Sequence, residues 1–323
     1  MMRHRVIVST TAPAAIRREE YERALHRFRH VRMPIEQTPQ YRMMIDRSFP
    51  RRVHVREAEF ALSMRRNLFS LYEVDVRVNG RAMRFIIDTG AQISGIRAHA
   101  ARALALPALK SGMEVGSVGS TREQRPAVRC DSLQLGGMCW ENQPLIVLDQ
   151  QQFSVRLLNV DLLRFDGILG WDLLRTMDFE LDTIAGQMKV QKNRFRLDRP
   201  NLIPCSFPTL LLRETDGSVS LFGIDTGARQ GWLGEGYIRR RGLQVLNSMR
   251  VVGFGVHGRE EFETQIAKSV TLHLDRARIT MEGCMSALVD VLPDITYDGV
   301  LGNEVFAGRR IRFVNSAGMV LLT

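Results

Sequence analysis

The sequence predicts an all-β protein of two duplicated lobes with a cleft between them, preceded by a helical N-terminal extension. Three observations predict it. An internal repeat covers most of the chain beyond residue 70. Each copy opens on strand-like apolar runs. Residues 14–30 instead carry apolar positions at three-to-four spacing, which is the helical period. A length of 323 residues suits two domains with an appendage.

The elements follow in order. Pro13 precedes the helical stretch, in which Ile16, Tyr21, Ala24, Leu25 and Phe28 recur on one face. Pro34, Pro39 and Pro50 break the chain after it. Val74, Val76 and Val78 alternate with charged residues, the mark of a half-buried strand, and Asn79-Gly80 is the preferred dipeptide of a type I′ hairpin turn. Met83 to Ile87 then leads into Asp88-Thr89-Gly90-Ala91. The second copy has Leu221 to Ile224 leading into Asp225-Thr226-Gly227-Ala228, an offset of 137. Gly116-Ser117-Val118 and Gly253-Phe254-Gly255, candidate flap hairpins, are again 137 apart. Ser132–Leu135 answers to Thr271–Leu274 at 139, and Asp166-Gly167-Ile168-Leu169-Gly170 to Asp298-Gly299-Val300-Leu301-Gly302 at 132. Pro200, Pro204 and Pro208 mark the join, since prolines do not sit in central strands. The expected division is an extension over 1–66, a first lobe over 67–199 and a second over 200–323.

Charge is unevenly spread. Residues 1–66 hold 15 arginines, no lysine and 7 acids, a net +8 of the chain's +10. A solvated arm, a contact to nucleic acid or another anionic surface, and a cover for an acidic cleft all fit that asymmetry. The four cysteines, Cys130, Cys139, Cys205 and Cys284, are far apart and read as reduced thiols. No apolar run is long enough to span a bilayer. Val6-Ile7-Val8 is too short for a signal peptide, so a cytoplasmic setting is expected. His26 and His30 have a metal-compatible spacing but no third ligand nearby, and read as a surface pair. Gly253 to Gly258 fits a dinucleotide-binding G-x-G-x-x-G, but the alternation after it is that of a strand rather than a helix start.

The repeated loop has a definite chemistry. Each apolar strand delivers a carboxylate into a tight turn. Glycine gives the turn its freedom, and the threonine hydroxyl can hydrogen-bond neighbouring backbone. Two such loops can present Asp88 and Asp225 face to face. Carboxylates that close share one proton, so one member can act as base on a water while the other hydrogen-bonds a substrate carbonyl. Neither a metal nor a cofactor is called for.

Phe85-Ile86-Ile87-Asp88-Thr89-Gly90-Ala91-Gln92-Ile93-Ser94 resembles the active-site loop of the pepsin and retropepsin superfamily, and the likeness is strongest to bacterial retropepsin-like aspartic peptidases. Asp166-Gly167-Ile168-Leu169-Gly170-Trp171-Asp172-Leu173-Leu174 resembles that family's second signature, a strand threading behind the catalytic loop with a short helix after it. The likeness runs over about 70–323. It implies that Asp88 and Asp225 are the catalytic pair, with Thr89 and Thr226 bonding across the lobes and Gly90, Ala91, Gly227 and Ala228 completing the loops. It also implies two retropepsin-like lobes fused as in pepsins, active as a monomer on a protein or peptide held extended. The departures are the lack of a serine in the second loop, Arg229 beside it, and Ala91 and Ala228 where pepsins carry a hydroxyl. The rival readings are a catalytically silent peptide-binding or scaffold protein, and a nucleic-acid-associated protein that works through its basic segment.

Overall fold

The computed structural model describes residues 4–29, 35–45, 48–116, 122–148, 156–157, 160–161, 164–192, 199–255, 258–287 and 295–323. Its N-terminal segment is woven into the lobes, which differs from the expected extension. The short apolar run is a strand, β1 (Arg5–Ala14), paired antiparallel with residues 275–282 of the second lobe. Helix α1 is therefore shorter than the sequence pattern suggests, Arg18–Arg27, because the chain up to Ala14 is held in a ladder. Its start is fixed by the Glu20 carboxylate, which accepts from the Arg17 N–H at 2.8 Å. Ile16 and Phe28 are buried, and Tyr21, Ala24 and Leu25 pack with them against Ile203, Phe207 and Leu211. The apolar stripe thus finds its surface on the second lobe.

Helix α2 (Pro39–Met44) is capped by Thr38, whose Oγ1 accepts from the Tyr41 N–H. It buries Tyr41 and Met44 beside Ile86, Ile146 and Ile168 of the first lobe. Strand β2 (Arg52–Val55) closes one edge of the first lobe's sheet, and β3 (Phe60–Arg66) lies inside it. The alternation of Phe60, Leu62 and Met64 explains β3, since these side chains turn toward the core. Residues 52–55 and 60–66, which the sequence pattern groups with the extension, thus pair within this sheet.

β4 (Tyr72–Val78) and β5 (Arg81–Ile87) form the predicted hairpin. Asn79 and Gly80 both take positive φ, 49° and 80°, as a type I′ turn requires. β6 (Gly95–Arg97), α3 (Ala98–Ala103) and the hairpin of β7 (Met113–Gly116) with β8 (Arg122–Arg125) follow. β9 (Ala127–Leu135) turns back on β10 (Met138–Leu148). β11 (Arg156–Leu157) and β12 (Val160–Asp161) are a short pair. β13 (Gly167–Leu169) then runs parallel to β5 and antiparallel to β6, and α4 (Trp171–Leu174) leads to the hairpin of β14 (Phe179–Asp182) and β15 (Gln187–Val190).

The second lobe repeats this plan with β16 (Leu202–Ile203), β17 (Thr209–Glu214), β18 (Val219–Ile224), β19 (Trp232–Gly234), α5 (Glu235–Arg241), β20 (Val245–Gly255), β21 (Gly258–Ala287) and β22 (Gly299–Leu301). β22 is parallel to β18 and antiparallel to β19, as β13 is to β5 and β6. Fully extended, the 30 residues of β21 would reach about 100 Å. They fold back instead at Asp275, where φ is 50°, so that the hydroxyls of Thr271 and Thr280 meet at 3.0 Å. The G-x-G-x-x-G stretch closes the β20–β21 hairpin, where the last pair is Gly255 with Gly258; it opens no helix.

The final strands, β23 (Arg310–Val314) and β24 (Met319–Leu322), leave the second lobe and join β14. The sheet of the first lobe reads β2-β10-β6-β13-β5-β4-β3-β15-β14-β23-β24, so its far half is a platform drawn from the N-terminal, middle and C-terminal thirds of the chain. One core runs through both lobes and includes Phe85, Leu169 and Trp171 with Phe222, Leu301 and Phe313. Phe179 stacks on Phe313 at 4.6 Å. The four cysteines are buried and free, and burial pushes the Cys130 and Cys284 thiols up to about 12. Among the described residues no helix is long and apolar enough to cross a membrane.

The platform makes a test of the N-terminal segment. A chain beginning at Leu68 lacks β1, β2 and β3 and opens the sheet between β4 and β15. It is expected to lose cooperative thermal unfolding by circular dichroism. A truncated chain that unfolds like the full one would contradict this account of the platform.

Candidate active site

Two buried strands, β5 and β18, end one residue before Asp88 and Asp225. The Asp88 N–H donates to Leu169 O at 3.0 Å and the Asp225 N–H to Leu301 O at 2.9 Å. Each aspartate is thereby tied to the strand crossing behind its loop. The next residue carries the junction between lobes. Thr89 Oγ1 donates to Ile224 O at 2.8 Å and accepts from the Thr226 N–H at 3.0 Å. Thr226 Oγ1 donates to Ile87 O at 2.7 Å and accepts from the Thr89 N–H at 2.9 Å. Both threonines are fully buried, so each of these four groups would be costly to leave unpaired.

Glycine follows for reasons of space. A Cβ on Gly90 would lie 2.4 Å from Asp225 Cγ, and one on Gly227 would lie 2.3 Å from Asp88 Cγ. Each carboxyl group therefore rests against the glycine of the other lobe, which brings the two carboxyls together. Backbone donors hold them there. Ala91 N–H donates to Asp88 Oδ1 at 2.9 Å, while Gly227 and Ala228 N–H donate to Asp225 Oδ1 at 2.7 and 3.1 Å. Withdrawal from water raises the pKa of Asp88, opposed by the Ala91 N–H and by a hydrogen bond from Asp225. Asp225 is raised further, by the same withdrawal and by the charge of Asp88. Two carboxyls held in contact retain one proton between them, and the pair titrates as a unit.

Behind each loop lies a second carboxylate to which the sequence reading gave no role. Asp172, fully buried on α4, accepts from the Ser94 N–H at 2.8 Å and from Ser94 Oγ at 2.7 Å, and Ser94 Oγ accepts from the Gly170 N–H at 2.9 Å. Gln143 Nε2 donates to the other oxygen at 2.9 Å, and Arg51 Nε donates to Gln143 Oε1 at 2.6 Å. Burial lifts the Asp172 carboxyl to about 6, against the pull of Ser94 and of the Arg51 charge. In the second lobe Glu304 takes the corresponding place and accepts from the Gly231 N–H at 2.7 Å. Asn303 Nδ2 donates to Thr226 O at 2.9 Å and to Ser70 O at 3.1 Å, a further tie between lobes. Asp172 and Glu304 sit two residues past the repeated Gly170 and Gly302, and that shared position was their signal in the sequence.

The other expected positions are mixed. Gly116 ends β7, and Gly253, Phe254 and Gly255 end β20 with backbones paired to Glu260, Arg259 and Gly258. Ser117 and Val118 lie outside the described residues, as does His30. Arg229 is exposed. Among the described residues no cluster of His, Cys, Asp and Glu could hold a metal.

A cross-linked pair of Asp-Thr-Gly loops on all-β lobes defines an aspartic-protease type of fold. Residues 74–173 match the family model described as aspartyl protease. A retropepsin-like aspartic protease from Rickettsia conorii is 18% identical over 44% of this chain and 93% of that one, with a TM-score of 0.29. No curated protein matches the chain.

Removing one hydroxyl tests the junction. Thr226→Val keeps the volume but leaves the Thr89 N–H and Ile87 C=O buried and unpaired. The expected loss is about 1–3 kcal/mol for each group, read by urea unfolding. A variant as stable as the parent would show that the junction does not hold the lobes.

Proposed function

We propose that the chain is an aspartic endopeptidase in which Asp88 and Asp225, one from each lobe, activate a single water. The observation that carries this reading is the placement of each carboxyl against the opposite lobe's glycine, which sets the two carboxyls against one another. A protein that only bound peptides would gain nothing from two carboxylates forced together at the cost of burying them.

In this reading a peptide lies extended across the loops, with its scissile carbonyl over the pair. Ionised Asp88 takes a proton from the water as the water oxygen bonds to the carbonyl carbon, and Asp225 gives its proton to the carbonyl oxygen. A neutral tetrahedral diol results. Collapse returns a hydroxyl proton to Asp225, while the proton held by Asp88 passes to the amide nitrogen as the C–N bond breaks. The pair ends as it began, with Asp88 ionised and Asp225 protonated. The hairpins ending at Gly116 and Gly255 are suited to supply main-chain bonds to an extended substrate. Both half-sites lie in one chain, so the site asks for no second copy.

Asp88→Asn and Asp225→Asn are each expected to abolish cleavage of a peptide library, read by mass spectrometry, with unfolding by urea little changed. Near-parental turnover in either variant would sink the two-carboxylate mechanism. An unreactive parent across pH 3–8 would favour a silent peptide-binding protein.

The pH profile is a separate test. Activity needs one proton on the pair, so it falls at low pH when the pair takes up a second proton and at high pH when it loses the one it holds. Both pKa values are raised, and Ala91 and Ala228 supply no hydroxyl to favour the charged forms. The optimum is therefore expected at mildly acidic to neutral pH. An optimum below about pH 3 would contradict this.

A further inference from the structure

The two catalytic loops are held from behind in different ways, and the difference involves the first strand. In the first lobe, Ser94 and Gln143 together give Asp172 three donors, and Arg51 steadies Gln143. In the second lobe the position of Ser94 is Gly231, which keeps only its N–H bond to Glu304. The position of Gln143, set by the matching parallel ladders of β10 with β6 and β21 with β19, is Glu282. A carboxylate cannot donate to a carboxylate. Two of the three donors available in the first lobe are therefore missing in the second.

A residue from outside the repeat stands in. His4, at the foot of β1, has its Nε2 3.7 Å from Glu304 Oε1 and its Nδ1 3.3 Å from Gly283 O. Its side chain is 14% exposed, as is that of Glu304. Both ring nitrogens face acceptors, the arrangement that suits an imidazolium with two N–H groups. The same Glu304 oxygen receives the Gly231 N–H, so one carboxylate links the strand to the loop that carries Asp225. Gly302 leaves the room for this, since a Cβ there would lie 2.6 Å from Glu304 Oε2 and 2.7 Å from Gly231 N.

We propose that His4 is a positioning residue: through Glu304 it holds the second catalytic loop at Gly231, and β1 is thereby a working part of the second half-site. The catalytic consequence rests on the peptidase reading above; the mechanical one does not. The titratable groups around His4 are Glu304 on the turn after β22, and Glu282 and the Cys284 thiol on β21. The thiol is kept neutral by burial and by those two acids. Burial alone would lower the His4 pKa, but Glu304 and the Gly283 carbonyl outweigh it and the net shift is upward. The restraint is accordingly complete at pH values below the ordinary histidine range and is lost as pH rises through the raised value.

The test compares the full chain with His4→Ala, His4→Lys and Val6→Ala. Val6 packs on the core from the same strand, so its truncation weakens β1 without touching Glu304. Amide exchange over residues 226–234, followed by mass spectrometry at mildly acidic pH, is expected to quicken at least tenfold in His4→Ala. It should stay near parental in His4→Lys and Val6→Ala. Exchange over 89–97 should not change in any of them. Against a cleavable peptide, kcat should fall about ten- to a hundredfold in His4→Ala with KM unchanged, the expected scale of a small misplacement of a reacting group. His4→Lys should restore kcat and remove the histidine-dependent limb of the pH profile. Unchanged exchange in His4→Ala, or equal quickening in Val6→Ala, would overturn the proposal. A parent chain that cleaves no peptide would remove the peptidase reading alone, since exchange still decides whether His4 holds the loop.

Discussion

Everything in this molecule turns on four hydrogen bonds between two threonines and the backbone of the opposite lobe. Thr89 and Thr226 each spend their hydroxyl twice, once as donor and once as acceptor, and no water competes for either. The bonds fix the separation of the two loops, and that separation brings Asp88 and Asp225 into contact. Carboxyl groups in contact repel when both are charged, so the fold does work on the pair and the pair responds by retaining a proton. Geometry and protonation state are thus one constraint. A looser junction would let both acids ionise as ordinary surface aspartates.

Supporting that constraint takes more protein than the loops themselves. The crossing strands β13 and β22 accept the aspartate N–H groups, and Asp172 and Glu304 brace the far end of each loop. The two braces share a position in the repeat but not a chemistry. One is a serine–aspartate–glutamine network, the other a longer acid reached by a histidine from the first strand. The repeat thus carries two loops of one plan whose supports have come to differ.

The sequence made the centre of this structure legible and its periphery obscure. The Asp-Thr-Gly-Ala loops and the Asp-Gly-hydrophobic-Leu-Gly strands were readable because the requirement there is local. A tight turn, a close approach and a buried strand each demand particular residues at fixed spacing. The hairpin at Asn79-Gly80 was readable for the same reason. The first 66 residues were not, because most of their partners lie far along the chain, as in the ladders of β1 with β21, β2 with β10 and β3 with β15. Val6-Ile7-Val8 is too short to announce a strand, and its ladder with residues 275–282 leaves no trace in its own composition. Phe60, Leu62 and Met64 did alternate, but beside so many arginines the charge drew attention away from the period. His4 and Arg51 look like ordinary surface residues in sequence, and only packing shows that they stand beside the acids that brace the two Asp-Thr-Gly loops.

The platform has a consequence for how the molecule comes into being. Its neighbours β3, β15, β14, β23 and β24 come from residues 60–66, 187–190, 179–182, 310–314 and 319–322. A ribosome delivers these pieces over almost the whole time of synthesis, and pairings so distant in sequence form slowly. The first half of the chain waits with an open strand edge, and its single carboxylate has no companion. Only when residues near 322 emerge can the sheet close and the second loop settle against the first. The two loops therefore meet late, after the most distant pieces of the sheet have been made.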